Sequence, residues 1–276
     1  MRMFERYIGI DYSGAATPNT SLKGLRVYMA LAGMAAQEVL PPAGARKYWT
    51  RQGIALWLAQ QLAQDIPTIV GVDHGFSFPL RYFEQHNLAH DWHAFLSDFQ
   101  HHWPTDLDGI YVDYVRDGSV GSGASRTGNP RWRRECELRC RGKSVFHFDV
   151  QGSVAKSTHA GIPWLRYLHL QLGSRLHFWP FDGWDVPVNR SVIAEAYPAV
   201  YKQAYAAQGR TPDQHDAYAV AQWLHDQDAN HGLQRVLHPD LTPDERAIAE
   251  LEGWILGVGC ARNPRPDDHI LSVLTA

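Results

Sequence analysis

Two short apolar runs, each closed by an aspartate, constrain this chain more than any other feature. They are RYIGID at residues 6–11 and TIVGVD at residues 68–73. Continuous apolar runs of that length read as strands buried on both faces, and such strands belong to α/β architectures. Between them, residues 25–31 (LRVYMAL) give a second strand candidate. Residues 37–40 give a short third, stopped by Pro41 and Pro42. Residues 51–65 carry Ile54, Leu58 and Leu62 at helical spacing. The opening of the chain therefore predicts β-β-(β)-α-β, with its first and last strands ending on an acid.

The later chain returns to this regularity after a long interruption. Residues 81–188 are rich in Trp, His, Arg and Pro and poor in periodicity. Residues 92–103 read as helical, residues 118–130 (GSVGSGASRTGNP) as a loop. Residues 191–197 (SVIAEAY) read as a strand carrying Glu195. Residues 213–226 (DQHDAYAVAQWLHD) follow Pro212 and read as a helix with Asp213 in a capping role. Residues 242–256 read as a helix capped by Thr242, with Glu245 three positions on. The expected organisation is a core made of residues 1–80 and 189–276, with residues 81–188 as an insertion.

Composition narrows the function classes. The chain has 276 residues, 45% of them hydrophobic and 20% charged, enough for a real core without disulfide staples. A net charge of −3 excludes a globally basic histone-like binder but leaves room for a local basic patch. The odd cysteine count (Cys136, Cys140 and Cys260) predicts free thiols in a reducing compartment. No apolar run approaches the ~20 residues of a membrane span, and the N-terminus carries no apolar signal region. These features predict a cytoplasmic protein with no membrane partner.

Four acids stand at comparable places: Asp11 and Asp73 at strand ends, Glu195 near the end of a later strand, and Asp216 one turn into a late helix. In an open α/β sheet the carboxyl ends of neighbouring strands share one edge, and sites form there. Carboxylates gathered at short range do not all stay ionised without a cation. Hard oxygen ligands favour Mg²⁺ or Mn²⁺. Two such ions about 3.5–4 Å apart form the arrangement used for phosphodiester cleavage. Each acid also has a plainer reading, as a turn, cap or surface residue.

The segments GIDYSGA (9–15), VGVDHGFSFP (70–79), EAYPAVYK (195–202) and DQHDAYAVAQWL (213–224) resemble the motifs of the DUF429 family, as does QGSVAKSTHAGIPWL (151–165). The DxxDA at 213–217 is similar to the last motif of RuvC-type resolvases. The resemblance implies a ribonuclease-H-like mixed sheet flanked by helices and a predicted nuclease. Asp11, Asp73 and Asp216 would be its metal ligands, with Glu195 as a further one.

A nucleic-acid partner is the expectation that goes with this reading. Residues 126–143 hold Arg126, Arg131, Arg133, Arg134, Arg139, Arg141 and Lys143, with Trp132 interleaved. Such a stretch neutralises phosphates, and a tryptophan stacks on an unpaired base; the alternative is a solvated helix face. Lys156 is a candidate to hold a scissile phosphate and His159 to relay protons, against a plain loop at 156–159. Ser13 beside Asp11 and His74 beside Asp73 join the substrate-binding candidates. Two competing functions stay open: an actin-like-fold ATPase or kinase, and a non-catalytic nucleic-acid-binding relative.

Overall fold

The computed structural model describes residues 2–44 and 46–259. A mixed sheet of six strands has the order β3-β2-β1-β4-β6-β5. Its strands are β1 (Arg6–Asp11), β2 (Arg26–Leu31), β3 (Gln37–Glu38), β4 (Thr68–Asp73), β5 (Leu176–Phe178) and β6 (Ser191–Glu195). β1 pairs antiparallel with β2 and parallel with β4; β4, β6 and β5 continue in parallel. The central strands β1 and β4 are the two apolar runs that end on aspartate. Burial on both faces is what their composition required.

Helices cover both faces. α1 (Arg51–Leu62), α2 (Leu80–Gln85), α3 (Trp92–His102), α4 (Val112–Arg116), α5 (Glu135–Arg139) and α6 (Ala155–Leu172) precede the last strand. α7 (Pro212–Ala229), α8 (Leu233–Leu237) and α9 (Pro243–Glu252) follow it. One core holds Ile8, Ile10, Val70, Val72 and Ile193 against Leu58, Phe95 and Leu165 of α1, α3 and α6. The other holds Tyr7, Ile69, Val192 and Ala194 against Val220 and Leu224 of α7 and Leu233 of α8. Alternate residues of each strand thus feed opposite cores, as the pleat dictates.

The seam between β1 and α7 has no room for a side chain at Gly9. A Cβ on Gly9 would stand 2.3 Å from the Ala217 carbonyl oxygen. Only glycine lets the helix backbone approach the strand so closely. α7 starts with Thr211 as its cap, in a capping box with Gln214, and Pro212 at the first turn. Asp213 therefore does not cap this helix. α9 carries the expected Thr242–Glu245 capping box.

Two parts of the 81–188 block depart from the sequence reading. β5 joins the sheet as an edge strand, and α6, read as a loop over 156–159, is an 18-residue helix packed on α1 and α3. Gly161 and Pro163 disguise it, since both are poor helix formers. Tertiary packing overrides them. A Cβ on Gly161 would meet His74 Nε2 at 2.4 Å, so this helix position must be glycine for the ring to fit. Cys136 and Cys140 are free thiols, and Cys260 lies outside the described residues. Among the described residues no helix is long and apolar enough to cross a membrane.

Candidate metal centre

β1 and β4 run side by side in register, with Asp11 level with Asp73. Paired residues on neighbouring parallel strands share a face, so both carboxylates leave the sheet towards α7. Asp216, in the second turn of α7, meets them there. One carboxylate oxygen from each of Asp11, Asp73 and Asp216 lies within 4.8 Å of the other two. The three acids are half-buried.

Burial and mutual repulsion dominate the electrostatics. Desolvation pushes the Asp11 carboxyl up to about 9, helped by the charges of Asp73, Asp213 and Asp216. Desolvation pushes Asp73 up to about 8, with Asp216 and Glu195 adding to it. Lys202 pulls both the other way. Its Nζ donates to both carboxylate oxygens of Asp216, at 2.8 and 3.0 Å. It sits in a 3-10 turn (Lys202–Ala204) a few residues beyond β6. The sequence reading assigned Lys202 no role, although it closes the EAYPAVYK segment. Asp213 also acts on Asp11, as a neighbouring charge rather than a helix cap.

Glu195 is not part of this group. Its ladder partner is Val72, one residue short of Asp73. The two-residue pleat therefore sends its side chain to the opposite face of the sheet. The residue level with the aspartates is Ala196. On its own face Glu195 is buried and held by Arg134, whose guanidinium makes two parallel bonds to it at 2.6 and 2.7 Å. Arg134 also binds Glu137 at 3.0 Å. Glu252 accepts from the backbone of Leu80 and of Glu135 and completes this buried polar cluster.

The remaining candidates are scattered. Arg134 faces inward and is unavailable to a substrate. His74 is buried, with Nδ1 against the Gly75 carbonyl at 2.8 Å, and burial lowers it to about 4. His159 is fully buried among Phe78, Trp103 and Phe148. Burial lowers it to about 3, so it stays neutral and has no path to relay protons. These three corrections share one cause: each side chain is turned into the interior, the two rings among packed side chains and the guanidinium onto buried acids. Lys156 pairs with Asp113 at 2.7 Å, towards α4 rather than the three acids. Arg126 pairs with Asp98 at 2.8 Å. Trp132 packs its ring against the core beside Phe146. Ser13 turns its hydroxyl to the Ala15 amide, and its carbonyl is held by buried Arg51. Arg131 and Arg133 are exposed.

The donor set is three hard carboxylate oxygens gathered from two strand ends and one helix, and it fits Mg²⁺ or Mn²⁺. No family model matches the chain, and neither a curated protein nor a solved structure matches it significantly.

Proposed function

We propose that this protein is a metal-dependent phosphodiester hydrolase in which Asp11, Asp73 and Asp216 hold Mg²⁺ or Mn²⁺. The observation that carries the reading is the convergence of three carboxylates from separate elements, against a single lysine. Like charges at this range are costly unless a cation joins them. Bound there, such an ion polarises a phosphoryl oxygen and lowers the pKa of water. Asp11 and Asp73, fixed by strand register, set one side of the site. Asp216, fixed by the seam between α7 and β1, sets the other.

The strand order, the antiparallel β2 beside a central β1 and the helices on both faces support a ribonuclease-H-like fold, as does the DUF429 resemblance. Nucleic acid is the substrate class this favours. Arg131, Arg133 and Arg141 are exposed and have no acidic partner among the described residues, which suits an anionic polymer.

The test compares wild type with Asp11→Asn and Asp216→Asn. Mn²⁺ binding is followed by calorimetry, and cleavage by a panel of single- and double-stranded DNA and RNA. Both variants should lose more activity than the roughly 10–100-fold typical of outer-shell changes at metal sites. Cleavage that survives EDTA or either substitution would remove the proposal.

A further inference from the structure

Lys202 is the one basic side chain that touches the acid cluster among the described residues. It grips both oxygens of Asp216 rather than one. Its side chain is 36% exposed, against 20% for Asp216. The lysine is thus the more solvent-exposed member of the pair, and its ammonium sits on a flexible four-carbon stem. It brings one positive charge to a site where three carboxylates meet. It also occupies one acceptor site on each oxygen of Asp216, where a dication would approach. Ammonium and dication repel each other at such range, so the two compete for the same oxygens.

From this geometry we infer that Lys202 is an exchangeable counter-ion of the cluster. It holds Asp216 while the site has no metal, and it passes to an anionic oxygen of the substrate phosphodiester when a dication takes Asp216. The inference rests on the metal-dependent reading above. It makes substrate and metal mutually dependent. The metal binds weakly while the lysine has no other partner and more tightly when a phosphodiester receives it. By linkage, the metal then strengthens phosphodiester binding by the same factor. A purely structural lysine that only anchors the 198–204 turn predicts no such coupling.

The experiment measures Mn²⁺ affinity by calorimetry for wild type, Lys202→Gln and Lys202→Arg. Each protein is titrated alone and with millimolar dimethyl phosphate as an uncleaved phosphodiester. In the free protein, Lys202→Gln should bind Mn²⁺ about tenfold more tightly, within the range of about 5–150-fold typical of site coupling. Dimethyl phosphate should tighten Mn²⁺ binding to wild type clearly more than to Lys202→Gln, which keeps only the direct contact between metal and phosphate. Lys202→Arg keeps the charge and should bind no more tightly than wild type. Equal or weaker affinity in Lys202→Gln, or equal enhancement in both proteins, overturns the exchange. Absence of Mn²⁺ binding in all three overturns the metal-dependent reading itself, and the inference with it.

Discussion

Asp11 and Asp73 are stored at a cost to the fold. Their carboxyls sit far above the usual range because the folded chain desolvates them and sets them beside other acids. The sign follows from linkage. A carboxyl whose folded pKa lies above its unfolded value binds its proton more tightly in the native state. Its contribution to stability is therefore complete below about pH 4, the ordinary carboxyl range. That contribution is lost as pH rises towards about 8 for Asp73 and about 9 for Asp11. In EDTA at pH 7–8, Asp11→Asn should therefore be more stable than wild type, by about 1–2 kcal/mol, a common gain when a strained site is relieved. The difference should vanish near pH 4. Thermal melts across that pH range check it. Adding Mn²⁺ should raise the melting temperature of wild type and not of the variant. A melting temperature at pH 7–8 that falls in Asp11→Asn would contradict the stored repulsion.

At the scale of elements, legibility followed periodicity. β1, β4, α7 and α9 were readable because their apolar spacing and capping residues agree with their final states. The placement of Asp11, Asp73 and Asp216 was readable for the same reason, since each is pinned to a strand end or an early turn of a helix. Glu195 misled because register cannot be read from a strand alone. One residue of offset between β4 and β6 exchanges the faces. α6 was hidden because Gly161 answers to the His74 ring it touches rather than to helix propensity, and Pro163 is a poor helix former. Gly161→Ala should therefore destabilise the protein, by about 1–3 kcal/mol as overpacking does, although alanine is the better helix former. Urea denaturation measures it, and a stabilised variant would show that the ring is free to move away.

Across the whole molecule, Arg134 ties layers that are far apart in sequence. It joins the end of β6 to α5 through Glu195 and Glu137, and its guanidinium also reaches the Glu252 carbonyl in α9. Removing one member of a buried ionic cluster leaves the others uncompensated. Arg134→Met should cost about 3–5 kcal/mol in urea denaturation. Folded Arg134→Met should keep Mn²⁺ binding, with affinity shifted rather than lost, because it removes no carboxylate of the site and the cluster reaches Asp73 through the charge of Glu195. A complete loss of Mn²⁺ binding would mean that the geometry of the site depends on the cluster. The glycine seam of β1 argues against such dependence. Where backbone rests on backbone, the span between Asp11 and Asp216 behaves as a fixed gauge. Side chains elsewhere can grow, shrink or trade volume during divergence, and stability will move with them. The gauge does not, so a change of volume elsewhere in the interior should move the stability of the fold more than the aperture between its acids.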